Sequence, residues 1–114
     1  MSGQLFFFRE DGILKKINLD EIVVMEATGN YVKLYAAAYT YLIRITMDAL
    51  LRQLPKDLFV RIHRSVVVAA DHVDSIGRDY VTLAGVPDHM FPLSKIFYLQ
   101  LLEKVKIIET KKEK

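Results

Sequence analysis

The 114-residue sequence contains no cysteine. Disulfide bonds, thiol catalysis and thiolate metal sites are therefore excluded, and the absence fits a reducing compartment. No apolar run approaches the roughly 20 residues that a membrane-spanning helix needs. The short apolar run at residues 5–8 also lacks the basic segment that precedes the core of a signal peptide. From these absences we predict a soluble, cytoplasmic protein.

An excess of charge of one sign is also missing. Sixteen basic residues stand against fourteen acidic ones, which leaves a net charge of +2, so charge alone does not establish a nucleic-acid partner. Between residues 30 and 65, however, six basic residues stand against two acidic ones. This local excess can attract phosphates, although part of it can equally be a solvated face.

The chain has neither a βαβ alternation nor a glycine-rich phosphate loop, which argues against a parallel nucleotide-binding sheet. A content of 52% hydrophobic and 26% charged residues predicts a folded chain. Its length suits one domain with a core of its own. We predict that residues 1–110 form this domain and that residues 111–114 form a frayed tail.

Short runs with β periodicity fill most of the chain. Strands are predicted at residues 4–9, 13–17, 21–27, 30–36 and 39–45, and again from residues 59, 66, 72 and 80. An Asp-Gly pair at residues 11–12 predicts a hairpin between the first two strands. Residues 86–89, with proline in second position, predict a type I turn. The pattern predicts a mainly β domain of many short antiparallel strands.

Two segments have helical periodicity instead. Thr46 is a suitable N-cap for an internal helix, and Pro55 ends it. The residues on its apolar face are Met47, Leu50, Leu51 and Leu54. Ser94 can cap a C-terminal helix. Its predicted buried stripe consists of Phe97, Leu101 and Val105, widened by Ile96, Tyr98 and Leu102.

The most informative stretch is residues 59–68. Its first half alternates, with Phe59, Arg61 and His63 on one face, and residues 66–68 form a continuous β-branched run typical of a strand covered on both sides. The polar break between them, His63-Arg64-Ser65, predicts a rim that can face an anionic partner. The turn at residues 29–30 leading to Lys33, and the helix start at residues 94–95, place similar groups at the ends of elements. Together they favour nucleic-acid binding.

Other chemistry is conceivable at these residues. His63 and Ser65, with Asp71 or Asp74, can be imagined as a catalytic triad. The sequence contains no nucleophile elbow or oxyanion-hole signature, and residues two apart on a strand rarely reach hydrogen-bond geometry. We therefore predict that the protein is not an enzyme.

Histidines and tyrosines admit further alternatives. The histidines at positions 63, 72 and 89 match no standard metal-ligand spacing, so we predict neither a metal nor a cofactor. Four tyrosines, at positions 31, 35, 39 and 41, can either stack on unpaired bases or pack across neighbouring strands. The alternating pattern favours cross-strand packing.

The sequence as a whole resembles the LytTR family, the DNA-binding domains at the C-terminal end of many bacterial two-component response regulators. The family pattern is found at residues 22–27, 29–34, 54–55, 59–65, 73–76 and 91–95. The block from residue 54 to 68 is the most specific, because its proline, phenylalanine, arginine, histidine and serine all fall at the family spacing.

This resemblance implies about ten strands in three small antiparallel sheets with one internal and one C-terminal helix. It also implies binding to double-stranded DNA through loops at sheet edges that enter successive major grooves. By position, the first loop comprises Asn30, Tyr31, Val32 and Lys33, the second loop Arg64 and Ser65, and the third loop Ser94 and Lys95.

The resemblance further implies an output domain that controls transcription. Its expected partners are a receiver domain and RNA polymerase, with no membrane. We expect the isolated domain to be a monomer that dimerises on DNA.

Three positions depart from the family pattern. Val32 stands where some members have a polar residue that can donate a hydrogen bond, and Ala69-Ala70 follow the valine run where asparagine is common. Lys95 replaces a common arginine, which exchanges a bidentate fork for a point charge. Val32 and Ala69 motivate an alternative function, a protein-interaction domain on the same fold that has lost specific DNA binding.

Overall fold

The structure, a computed structural model, describes residues 4–111. The predicted tail therefore lies outside the described residues apart from Lys111, as do residues 1–3. In chain order the elements are β1 (Phe6–Glu10), β2 (Ile13–Ile17), β3 (Ile22–Thr28), β4 (Tyr31–Ala36), β5 (Thr40–Ile43), α1 (Met47–Gln53), β6 (Phe59–His63), β7 (Val66–Ala69), β8 (Val73–Ile76), β9 (Tyr80–Leu83), β10 (Val86–Pro92) and α2 (Lys95–Lys104). Short 3-10 turns precede β3 and β8.

All strand pairs are antiparallel, and they form three sheets. A hairpin of β1 and β2 stands beside a three-stranded sheet of order β10-β9-β8 and a five-stranded sheet of order β5-β4-β3-β7-β6. The predicted fold class is confirmed in its strands, its sheets and both helices.

The five-stranded sheet is covered on both faces. On one face, α1 and the β1–β2 hairpin close a first core that includes Ile22, Met25, Val32, Leu34 and Val67. On the other face, β8–β10 and α2 close a second core that includes Val24, Ile62, Val68, Leu83 and Leu101. Strand β7 is buried along its whole length, as the continuous valine run predicts.

Local signals define the first hairpin and the first helix. Asp11 and Gly12 both have positive φ values, 53° and 77°, which is the backbone geometry of a type I′ turn. Thr46 accepts a hydrogen bond from the Ala49 amide at 3.1 Å and so caps α1 as predicted. The helix ends at Gln53, one residue before the predicted Leu54.

The prediction of a turn at residues 86–89 is wrong. These residues begin β10, and the turn lies at residues 84–85, where Gly85 has a φ of 93°. Pro87 is compatible with a strand because β10 is an edge strand and its missing amide donor removes no ladder bond. A proline followed by polar residues can therefore indicate either a turn or an edge strand.

The predicted stripe of α2 is partly wrong. Leu101 is buried, but Ile96 is 66% exposed and Val105, just past the helix end, is 39% exposed. At 3.6 residues per turn, Ile96 lies about 140° around the helix from Leu101, so both cannot face the same sheet. Ser94 makes no side-chain capping bond, although its carbonyl accepts the Tyr98 amide at 2.8 Å. None of the helices described is long and apolar enough to cross a membrane.

Candidate nucleic-acid interface

Backbone hydrogen bonds bring the three loops to one end of the five-stranded sheet. The Ala27 amide, near the end of β3, donates to the carbonyl of Ser65 in the second loop at 2.9 Å. The amide of Ser94 in the third loop donates to the carbonyl of Ile62, near the end of β6, at 2.8 Å. We call this shared edge, made of residues 30–33, 64–65 and 94–95, the rim.

The first loop is the tip of the β3–β4 hairpin. Gly29 has a φ of 59°, and the ladder begins immediately beyond the turn, with Thr28 opposite Tyr31. Asn30 and Tyr31 are exposed, and Lys33 is half-buried.

Val32 has no exposed surface, because alternate residues of a strand point to opposite faces and its side chain lies in the first core. The departure from the family pattern at this position therefore concerns a core side chain. Any contact made by the first loop depends on its other three residues.

An arginine that sequence analysis counted only as local charge accompanies the first loop. The Arg44 guanidinium lies 5.8 Å from the centre of the Tyr31 ring, a cation–π distance. The side chain is exposed and follows β5, where Ile43 pairs with Val32. The alternation of residues 39–45 predicted a strand that includes Arg44, but only the register between β4 and β5 shows that Arg44 lies beside Tyr31.

The second loop is a turn between two buried strands. Arg64 is exposed, and its side chain forms no hydrogen bond or ion pair within residues 4–111. Ser65 is half-buried and directed inwards: its amide donates to His63 Nδ1 at 3.1 Å, and its Oγ lies 3.0 Å from the same nitrogen.

The expectation that His63 and Ser65 stay out of hydrogen-bond range is therefore wrong. The strand pairing shifts register between Arg61 and His63, and the turn folds Ser65 back over the imidazole. Neither Asp71 nor Asp74 hydrogen-bonds to His63 within the described chain, so the pair has no carboxylate to orient it. Within the same residues, no group of three or more His, Asp and Glu side chains could hold a metal ion.

Arg61 makes contacts that the sequence did not predict. Its Nη1 donates to Asp48 Oδ1 of α1 at 2.5 Å, its Nη2 donates to the Arg64 carbonyl, and its Nε donates to the His63 carbonyl at 3.3 Å. The guanidinium also lies 5.7 Å from the centre of the Phe97 ring of α2. The hydrogen bond and charge of Arg61 lower the pKa of Asp48 below its usual range.

The third loop presents a cation at the start of α2. Lys95 is exposed and forms no hydrogen bond or ion pair within residues 4–111. Ser94 is half-buried, and both its backbone groups are bonded, to Ile62 and to Tyr98. The rim thus offers Lys33, Arg64 and Lys95, one cation from each loop.

Three of the four tyrosines lie away from the rim or are engaged in packing. Tyr39 and Tyr41 are near the opposite end of β4, with rings 5.0 Å apart in edge-to-face contact. The Tyr39 and Tyr41 hydroxyls share a hydrogen bond of 3.0 Å, and Tyr39 donates to Glu21; these hydrogen bonds raise the pKa of Tyr39 to about 12. Burial and a hydrogen bond to Glu26 raise the pKa of Tyr35. These contacts support cross-strand packing.

Comparison with known proteins agrees with the observed fold. The family model of the LytTr DNA-binding domain matches residues 13–106. The chain is 35% identical over 68 residues to an uncharacterized response regulatory protein of Vibrio cholerae. That match spans 56% of this chain and 26% of the Vibrio protein.

A solved structure shares the fold. It is described as the LytTr DNA-binding domain of a response regulator from Bacillus cereus, and it superimposes with a TM-score of 0.70. The match covers 90% of this chain and 96% of the other at 19% sequence identity. Since the family model spans most of the chain and includes all three loops, the chain belongs to the LytTR family of DNA-binding domains.

Proposed function

We propose that this domain binds double-stranded DNA with sequence specificity, as the output domain of a response regulator that controls transcription. The observation that carries the proposal is the convergence of three loops at one rim, each with one cation. Loops at a rim can follow a groove of the duplex while the sheet behind them stays rigid. In this arrangement we expect the contacts to come from the loops, with α2 contributing its first residue, Lys95.

The roles of the side chains follow from their chemistry. Arg64 can grip the O6 and N7 atoms of guanine with two parallel hydrogen bonds in the major groove. Lys95 can contact a base or a phosphate as a point charge. Asn30, Tyr31, Lys33, Ser65 and Ser94 would position the rim on the backbone, and Arg44 beside Tyr31 adds a further phosphate contact.

The proposal extends to the rest of the regulator. The chain spans about a quarter of the Vibrio relative, whose name describes it as a response regulatory protein. We propose a receiver domain as the partner that controls this domain, and RNA polymerase as the partner through which it acts. We expect the isolated domain to be a monomer in sedimentation experiments and to dimerise on adjacent half-sites of DNA.

The test begins with selection of bound fragments from a random duplex library. Fluorescence anisotropy then compares the selected duplex, a scrambled duplex of the same composition and the corresponding single strand. We expect the selected duplex to bind at least 100-fold more tightly than the scrambled one, an order of magnitude below the usual lower limit of about 10³ because one rim acts alone. Equal affinity for all three, or preference for the single strand, would contradict the proposal.

The alternative of a protein-interaction domain loses its original motivation. Val32 and Ala69, the two residues that suggested it, are both buried in the first core. Neither can contact DNA or a protein partner. The anisotropy experiment decides between the two functions, because a domain that has lost DNA binding would discriminate no duplex.

A further inference from the structure

Arg61 occupies an unusual position behind the second loop. It lies on β6, and its side chain is only 24% exposed although it carries a full charge. Its three nitrogens all donate hydrogen bonds, two of them to the successive backbone carbonyls of His63 and Arg64. An arginine that served only as a phosphate contact would instead direct these donors outwards.

Three separate elements meet at this guanidinium. Asp48 of α1 accepts from Nη1, and Phe97 of α2 faces the charged group. The carbonyls of His63, at the end of β6, and of Arg64, in the second loop, accept from Nε and Nη2. The helices belong to different cores, on opposite faces of the five-stranded sheet. Through Arg61, the second loop is therefore held in a fixed orientation relative to both layers of the domain.

A planar guanidinium is suited to this task. Its donors diverge in fixed directions, so it can hold a carboxylate and two carbonyls at once, whereas a lysine ammonium is a single rotatable point. Fixing the Arg64 carbonyl restricts the backbone from which the Arg64 side chain projects. A contact residue held in this way needs less ordering when its partner binds.

We infer that Arg61 is a positioning residue for sequence recognition: it acts through Arg64 and does not itself contact DNA. This inference rests on the proposed DNA-binding function. It assigns Arg61, together with Asp48 as its anchor, the task of preparing the second loop before DNA arrives.

The experiment is a double-mutant cycle of Arg61→Lys and Arg64→Ala. Arg61→Lys keeps the charge and removes the fork, and Arg52→Lys on the exposed face of α1 is the matched control. Affinities are measured for the selected and the scrambled duplex. Melting temperatures and the amide resonances of residues 63–65 are measured without DNA.

We expect Arg61→Lys to weaken binding to the selected duplex roughly tenfold while leaving the scrambled duplex within about twofold. In the Arg64→Ala background the same change should have no further effect, because the residue through which it acts is gone. The amides of Arg64 and Ser65 should shift in Arg61→Lys and in Asp48→Asn, with the melting temperature nearly unchanged. Arg52→Lys should change none of these quantities.

Additive effects in the cycle would overturn the inference, because they would make Arg61 an independent contact. A large fall in melting temperature with equal loss on both duplexes would also overturn it, since Arg61 would then be a general structural residue. If the wild-type domain binds no duplex, the proposed function fails. The amide resonances still test the positioning itself, and unshifted Arg64 and Ser65 amides in Arg61→Lys would refute it.

Discussion

The first and second loops are both short turns at the same rim, but they are held in different ways. The first is the tip of a hairpin whose own ladder fixes it, with Gly29 supplying the positive φ that the turn requires. The second is held from outside, by Arg61 and His63 side chains and by the Ala27 amide. A surface loop can therefore be fixed by its own hairpin or by tertiary contacts, and the two kinds should respond differently to substitution.

The largest expected effect tests whether the loops act together. If the rim contacts roughly four to six phosphates, log affinity should fall against log salt with a slope of about −4 to −5. Between 50 and 200 mM salt this amounts to a loss of about 250- to 1,000-fold. Lys33→Ala in the first loop should reduce the slope by about one, measured by anisotropy in a salt series. A slope near zero would mean that the rim does not bind the DNA backbone.

The next effect separates reading of bases from holding of phosphates. Arg64→Ala should cost about 1–3 kcal/mol on the selected duplex and much less on random duplex, because a guanine contact carries sequence information. Lys33→Ala should weaken binding to both duplexes about equally. The melting temperature should hardly change in either variant, since Arg64 is exposed and Lys33 half-buried. Equal loss on both duplexes in Arg64→Ala would argue against base contact by the second loop.

The free energy of unfolding should be sensitive to substitution in the first loop and nearly insensitive to substitution of Arg64 in the second. Gly29→Ala forces a side chain into the left-handed region at a φ of 59°, which costs roughly 1–2 kcal/mol. Apart from the two neighbouring residues of the chain, nothing described lies within 4 Å of the added Cβ, so we expect the cost to come from backbone strain. Denaturant unfolding of Gly29→Ala and Arg64→Ala provides the comparison. An unchanged midpoint in Gly29→Ala would show that the first hairpin relaxes to another turn.

The smallest expected effect is an acid sensitivity of the second loop. Arg61 depresses the pKa of Asp48 in the folded state. The contribution of the pair to stability is therefore complete above the unfolded pKa of about 3.9 and is lost as the pH falls through the lower folded value. We expect the Asp48 carboxyl resonance to titrate below that reference, with the Arg64 amide following it. In Asp48→Asn the amide should show no such step, and titration of Asp48 at its usual value would contradict the pairing.

Features that depend on neighbours along the chain were predicted most accurately from the sequence. The Asp-Gly hairpin, the Thr46 cap and the buried valine strand are all local signals, and all were confirmed. Pro87 was misassigned because its tolerance depends on the edge position of β10, which only the sheet order reveals.

The same distinction applies to the candidate site. The exposure of Asn30, Arg64 and Lys95 follows from their place at the ends of elements, and the family resemblance identified all three loops. Strand alternation places Val32 opposite the wetter face. That its side chain is unavailable to the first loop became clear only from the first core, which covers it. The hydrogen bonding of Arg61 could not be predicted, because its partner Asp48 is thirteen residues away on another element. Pairings of this kind arise only from packing.

Strand β7, which follows the second loop directly, contributes to both cores. Val67 and Ala69 lie in the first core, and Val66 and Val68 lie in the second. Neither layer can come apart without exposing part of this strand, so the domain should unfold cooperatively in one transition although it has two hydrophobic clusters. The amides of β7 should then exchange with solvent only through global unfolding, the slowest class of exchange. Arg64, the arginine of the rim, would thus be attached to the last segment of the domain to open.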